Sequence, residues 1–341
     1  MIDAATRSEL AAARRLVAGA RCWVLSDGKI GDEVQCLGVA EALGLAAEVR
    51  RVAPRKPWVW LMPWGGIDPA EAPAKPGSPL AAPYPDIAIA SGRRTVSYLR
   101  HVKRASGGKT FTVYLKDPRS GAGSADFLWV PQHDRLRGEN VLVTLTSPHR
   151  LSPERLLAAR AAPPYGLDRL PHPRVALVIG GNSHHHRFTD ADIADFAGHV
   201  RQLAEAGAGL MATASRRTPP SLAGALRTIV TERGGFFWDG TGENPYPAML
   251  ALADAVVVTA DSVNMVGEAL VTGKPVHIVE PSGGSAKITK FLSELRAAGL
   301  VRPFAGRIEG STYTPVDATQ TIAVALAQRF AAVRAQLKDL P

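Results

Sequence analysis

The sequence predicts an α/β protein built as two Rossmann-like domains, and three observations predict it. At 341 residues the chain exceeds what one hydrophobic core usually holds. Short apolar runs suited to buried parallel strands alternate with helical stretches. Two echoing loops, Ser91-Gly92-Arg93-Arg94-Thr95 and Ser215-Arg216-Arg217-Thr218, follow such runs at corresponding places in the two halves.

Ala4 to Ala18 has the composition of a surface helix. Arg21 to Leu25 is a short apolar strand leading into Ser26-Asp27-Gly28-Lys29-Ile30-Gly31, and Asp32 to Leu43 continues as a helix. Glycines in a strand-to-helix turn let backbone approach a ligand closely. The spacing, however, makes neither a Walker loop nor a full dinucleotide fingerprint, and an ordinary βα turn is the alternative. Strands follow near Ala47 to Val52, Ile87 to Ala90, Thr110 to Leu115, Phe127 to Val130 and Val141 to Leu145. Asp68 to Pro85, rich in Pro, Ala and Gly, reads as an extended loop.

Between those first strands, Arg50 to Trp64 holds three of the six tryptophans, Trp58, Trp60 and Trp64, beside four basic residues. Aromatic rings with Lys and Arg suit an interfacial membrane contact, in which rings enter the headgroup layer and cations meet anionic lipid. The alternative is that the rings pack beneath the following loop.

Ala161 to Pro173 is proline-rich and aperiodic, which makes it the expected interdomain linker. The domains are therefore expected at residues 1–163 and 174–316, with a closing helix over 317–341. Arg174 to Ile179 restarts the strand pattern and ends in Gly180-Gly181-Asn182-Ser183. His184, His185 and His186 are consecutive, so their side chains splay rather than converge on one ion. Asp190-Ala191-Asp192 follows Thr189, a good N-cap, and reads as a helix start rather than a metal-binding DxD.

Leu210 to Thr213 is a further strand, and Met249 to Ala253 a short helix after Asn244-Pro245-Tyr246-Pro247. Ala255 to Val258 then reads as a buried strand delivering Thr259-Ala260-Asp261-Ser262 to a helix over Val263 to Val271. Gly273 stops that helix, and Val276 to Val279 is the next strand. In such sheets ligands bind at the carboxyl ends of the strands, where a helix amino terminus offers N–H groups to a phosphate. A helix at Lys287 to Ala298 precedes the closing one.

Forty Lys and Arg against 31 Asp and Glu give a net charge of +9, which favours anionic partners. Nucleic acid is not among them: no helix-turn-helix, zinc or RNP pattern occurs. No apolar run spans a bilayer, and Met1 to Val17 lacks the apolar core of a signal peptide. Cys22 and Cys36 read as buried reduced thiols. A cytoplasmic protein, peripheral at the inner face of the membrane, is the expectation.

The stretches WVLSDGKIGDEVQ, IASGRRT, LVIGGNS, TASRRTP, NPYPAMLALADAVVVTADS, TADSVNMVGEA and TGKP, from about Trp23 to Phe304, resemble the "elongated mitochondria" family. That family is named for plant mitochondrial fission, and its bacterial members carry the name of glycosyltransferases. The resemblance implies the GT-B glycosyltransferase architecture, two Rossmann-like domains facing across a cleft. It implies glycosyl transfer from a nucleoside diphosphate sugar to a cell-envelope, lipid-linked acceptor, with no metal and no other cofactor.

On that resemblance the acceptor lies with the amino-terminal half. Asp27 takes the acceptor proton, Lys29 beside it completes the catalytic pair, and Ser26, Gly28, Gly31, Ser91, Arg93 and Arg94 are acceptor contacts. The carboxy-terminal half takes the donor. Gly180, Gly181, Asn182, Ser215 and Arg217 border it, Arg216 and the helix start at Asp261, Ser262 and Val263 hold the diphosphate, and Glu268 holds the ribose. Asn244 and Tyr246 approach the base, although turn chemistry explains them equally. Two alternatives share the architecture: a nucleotide-sugar 2-epimerase, and a membrane-recruited scaffold without enzymatic activity.

Overall fold

The computed structural model describes residues 4–338. It separates into two compact units, one of residues 4–150 with 317–338 and the other of residues 151–316.

The amino-terminal unit runs α1 (Ala4–Leu16), β1 (Cys22–Ser26), α2 (Ile30–Ala42), β2 (Ala47–Arg51), α3 (Trp58–Leu61), β3 (Ile87–Ala90), α4 (Thr95–Ala105), β4 (Phe111–Leu115), β5 (Phe127–Pro131) and β6 (Val141–Thr144). Its six strands are all parallel, in the order β2-β1-β3-β4-β5-β6. Parallel strands buried on both faces need apolar residues at successive positions, and β1, β3, β4 and β5 have them. Val24, Ile87, Ile89 and Val113 point to the face covered by α1 and α2. Trp23, Leu25, Ala88 and Tyr114 point to the opposite face, against α4. Cys22 and Cys36 are buried free thiols, and burial pushes the Cys22 thiol up to about 12.

The carboxy-terminal unit runs α5 (Pro153–Ala161), β7 (Arg174–Ile179), β8 (His186–Arg187), α6 (Asp190–Glu205), β9 (Gly209–Ala214), α7 (Pro220–Glu232), β10 (Phe236–Trp238), α8 (Tyr246–Leu252), β11 (Ala255–Thr259), α9 (Val263–Leu270), β12 (Val276–Val279), β13 (Ser282–Gly283), α10 (Ala286–Ala297) and β14 (Val301–Pro303). The main sheet is again wholly parallel, β10-β9-β7-β11-β12-β14. The two-residue strands β8 and β13 pair antiparallel as a separate ribbon. The last helix, α11 (Ala318–Lys338), packs on α1 and α2 of the amino-terminal unit, burying Ile322, Leu326 and Phe330.

The chain leaves the amino-terminal unit after Arg150, ahead of the proline-rich stretch, so the expected boundary at residue 163 is corrected. Helix α5 packs on α8, and Arg160 donates to the Ala251 carbonyl at 3.1 Å. Nor is Ala161 to Pro173 a free linker. Pro164–Arg169 forms a 3₁₀ turn with Leu167 fully buried, and Tyr165 stacks on Phe236 with ring centroids 5.0 Å apart. Proline fixes backbone angles, and that rigidity serves a packed turn as well as a spacer.

Each sheet reverses its winding once: between β1 and β3 in the amino-terminal unit, and between β7 and β11 in the other. At such a switch point neighbouring loops diverge and open a crevice at the carboxyl ends of the strands. Asp27 and Gly92 flank the first; Gly180 and Asp261 flank the second.

Candidate functional site

At the carboxy-terminal switch point Asp261 ties three strand ends together. Its side chain is fully buried. Thr259 Oγ1 donates to Oδ1 at 2.7 Å, while the Gly181 amide and Arg217 Nη2 donate to Oδ2 at 3.1 and 2.9 Å. Thr259 Oγ1 in turn accepts from the Gly180 amide at 2.7 Å. A Cβ at Gly180 would lie 2.0 Å from Asp261 Oδ1, and one at Gly181 would lie 2.0 Å from the Arg217 carbonyl oxygen.

These contacts correct several assignments. Asp261 and Arg217 neutralise each other, and the two glycines admit the protein's own chain rather than a phosphate. Asn182 likewise accepts from the Phe188 amide at 2.9 Å through Oδ1 and from Arg217 through its carbonyl. Ser215 serves its own turn: its hydroxyl accepts from the Arg217 amide at 3.2 Å. Arg216, by contrast, is exposed and forms no ion pair among the described residues. It is the guanidinium of this loop that stays available to an anion.

Ser262 caps α9 by accepting from the Met265 amide, and Val263 is the first helical residue. One turn on, Glu268 is half-buried and its Oε2 accepts from the Tyr246 hydroxyl at 2.8 Å. Burial pushes the Glu268 carboxyl up, and the Tyr246 hydrogen bond and the charge of Arg155 oppose that rise. Burial also raises the Tyr246 hydroxyl well above its ordinary value. Asn244 accepts from the Tyr246 amide at 3.0 Å, so its side chain closes the turn into α8.

Of the histidine triplet, His184 and His185 precede β8 and are exposed, whereas His186, its first residue, is 5% exposed with Nδ1 making no hydrogen bond. A cavity of about 520 Å³ opens beside it, lined also by Asn182, Arg187, Ser282 and Gly283. Burial holds His186 below its ordinary value, favouring the neutral ring. Asp192 is consumed by the capping box with Thr189 and by Ser282, so the DxD triplet is helix-start chemistry.

In the amino-terminal unit the Asp27 side chain is fully buried at the end of β1. Neither carboxylate oxygen makes a hydrogen bond, and Lys29 Nζ lies 3.3 Å away. Gly92, at φ +94° after β3, passes so close that a Cβ there would stand 3.3 Å from Asp27 Oδ1 and 3.1 Å from Asp32 Oδ2. Asp32 is ion-paired with Lys116, which sits at the end of β4 with φ 115°. This strained non-glycine backbone at a strand's carboxyl end is where functional residues collect.

Other expected contacts are spent on structure. The Ser91 hydroxyl donates to the Leu115 carbonyl at 2.7 Å, and Ser26 Oγ accepts from the Gly28 amide at 3.0 Å. Arg93 donates to the Met62 and Val59 carbonyls. Gly28 has φ +83°, which fits it to the turn. Gly31 lies exposed in the first turn of α2, and Arg94 is half-buried at the start of α4. Trp58 is half-buried, whereas Trp60 and Trp64 are exposed.

Asp32 and Lys116, which gather beside Asp27 and Gly92, were not among the expected site residues, while Thr259 and His186 were named only as a capping oxygen and as one of a splayed triplet. Thr259 and Asp32 were legible as polar residues at a strand end and a helix start. Lys116 and His186 carry no local signal, since only β4 and the β8–β13 ribbon place them.

The family model for "Mitochondrial fission ELM1" matches residues 30–330. The chain belongs to that family. The ELM1 family member from Arabidopsis thaliana, "Mitochondrial fission protein ELM1", is 30% identical over 285 residues, covering 73% of this chain and 64% of the plant protein. The chain thus spans just under two thirds of that relative's length. Among solved structures, a Listeria monocytogenes protein that carries the name UDP-N-acetylglucosamine 2-epimerase aligns with TM-score 0.53 and 11% identity, over 94% of this chain and 97% of that one. MurG of Acinetobacter baumannii aligns with TM-score 0.45 and 13% identity, over 92% and 94%. The fold of this ELM1 family member, two wholly parallel α/β units, is shared with the Listeria protein.

Proposed function

We propose that this protein transfers a sugar from a nucleoside diphosphate sugar to a hydroxyl acceptor. The observation that carries the reading is Asp27: a fully buried carboxylate with no hydrogen bond from the protein, at the switch point of a parallel sheet. Burying a carboxylate whose charge is balanced by an exposed ammonium at 3.3 Å, with no hydrogen bond to either oxygen, carries a desolvation cost, and a fold retains such a cost where a ligand uses the group.

In this reading the acceptor oxygen forms a bond to the sugar C1 as the C1–O bond to the diphosphate breaks. The acceptor proton passes to Asp27, whose Oδ2 lies 3.3 Å from Lys29 Nζ. The departing diphosphate gains negative charge, and Arg216 at the end of β9 supplies the free guanidinium. Glu268, oriented by Tyr246, accepts from the ribose hydroxyls. The reading assigns charge stabilisation to Arg216 rather than to a metal ion, because Asp192 of the DxD triplet is spent on its helix cap.

Epimerisation of a nucleotide sugar is the second reading, favoured by the likeness to the Listeria protein. A thermal-shift screen across UDP, GDP, CDP and TDP sugars identifies the donor. Mass spectrometry and NMR of the donor incubated alone then separate the two readings. Release of nucleotide only with an acceptor supports transfer, conversion of donor alone into an isomer supports epimerisation, and no nucleotide binding removes both.

A further inference from the structure

The segment around α3 has a second property that a soluble reaction does not use. Trp60, Leu61 and Trp64 are 64%, 50% and 67% exposed, three large apolar side chains within five residues. They do not stand out because the backbone is loose. Met62 between them is fully buried, and its carbonyl accepts from Arg93 Nη1 at 2.8 Å. The Pro63 carbonyl accepts from Ser97 at 3.2 Å and from Arg100, and Arg55 clamps the exit of the segment through two contacts of 2.8 Å to Asp68. The strap is therefore held at its centre while its apolar side chains project.

The charge around it is one-sided. Arg55 is neutralised by Asp68 and Lys103 by Asp126. Lys56, Arg93, Arg100 and Arg104 have no carboxylate partner among the described residues. Lys56 Nζ stands 5.5 Å over the Trp60 ring. Behind Trp64 a cavity of about 460 Å³ is lined by Arg100, Lys103, Arg104, Ser124 and Asp126, whose carboxylate is taken up by Lys103. Burial first, and then the charge of Arg104 beside it, hold the Arg100 guanidinium below its ordinary value, and an anion between the two would relieve the like-charge part of that.

We propose that this strap is a docking surface for an anionic phospholipid membrane, with Trp60, Leu61 and Trp64 entering the headgroup layer and a lipid phosphate seated between Arg100 and Arg104. Apolar burial supplies part of the affinity, and each basic residue near an anionic surface adds about 1 kcal/mol, roughly fivefold, that salt screens. A protein partner would be expected to match the basic rim with acids at fixed points; a lipid surface meets it wherever it faces. The inference stands apart from the proposed reaction and needs no turnover.

Co-sedimentation of the full chain with phosphatidylcholine vesicles, and with vesicles that also contain phosphatidylglycerol, tests it. The expected result is sedimentation with the anionic vesicles only, weakening with salt. The double variant Trp60→Ser, Trp64→Ser should lose roughly tenfold or more in affinity, and Arg104→Glu about fivefold or more, each with an unchanged melting curve. Should either variant misfold, quenching of tryptophan emission in the native chain by brominated anionic lipid reports the same insertion directly. Sedimentation with neither vesicle, equal binding to both, or native-like binding by the double variant overturns the proposal. So does light scattering that shows the tryptophans burying a contact between two copies of the chain.

Discussion

The Tyr246 hydroxyl donates to Glu268 Oε2 at 2.8 Å, joining the first residue of α8 to the middle of α9 across 22 positions of sequence. The bond fixes the carboxylate rotamer, and the charge of Arg155 acts on the same group. In the proposed transferase, that pair is the ribose seat.

Glu268→Ala should therefore weaken nucleotide binding by about ten- to a hundredfold, the scale of hydrogen bonds to a charged group. Tyr246→Phe should lose less, because it frees the carboxylate without removing it. Calorimetric titration with the donor found in the screen checks both; unchanged affinity in Glu268→Ala removes the ribose assignment.

The same carboxyl gives a pH dependence. Burial raises its folded value above the unfolded one, so the folded state holds the proton to higher pH. At acid pH the group is protonated in both states and costs nothing. As pH climbs through the unfolded value towards the folded one, the native chain loses stability that Glu268→Gln keeps. Melting temperature of the Gln variant minus that of the native chain should grow from acid to neutral pH; a flat difference contradicts it.

The two arginines of the Ser215 to Thr218 loop should separate cleanly. Arg217→Ala leaves Asp261 buried with one partner fewer and should cost about 2–3 kcal/mol of stability, the lower end for a broken ion pair because the guanidinium is half exposed. Arg216→Ala should leave the melt unchanged and weaken diphosphate binding by roughly tenfold or more. Denaturation and nucleotide titration of both variants check the assignment, and the reverse pattern would exchange their roles.

Asp27→Asn should lower turnover by about a hundredfold or more while donor binding is retained, because general-base contributions are of that order. Its stability should hold or rise, since the amide removes the desolvation cost of the buried carboxylate and loses in exchange only a pairing to the exposed Lys29. Initial rates with the identified acceptor check this; full activity excludes Asp27 as the base.

The sequence by itself determined the class of fold. Runs such as Val256-Val257-Val258 and Ile87-Ala88-Ile89 are apolar at every position, which only a sheet covered on both faces accommodates, and the turns after them carry the capping and glycine residues of βα units. Asp27 and the arginine loops could be picked out as candidates because ligands in such sheets gather at strand ends, and Glu268 because it follows such an end on the next helix. Tertiary structure alone decided which polar groups remain free. Asp261 and Arg217 look like ligand contacts in sequence but satisfy each other across 44 positions, whereas Asp27 keeps both oxygens without a hydrogen bond. Strand order, and with it the two switch points, is also set by long-range packing rather than by any local pattern. Local sequence fixes what a residue can offer; only the neighbours brought by folding decide whether that offer is already taken.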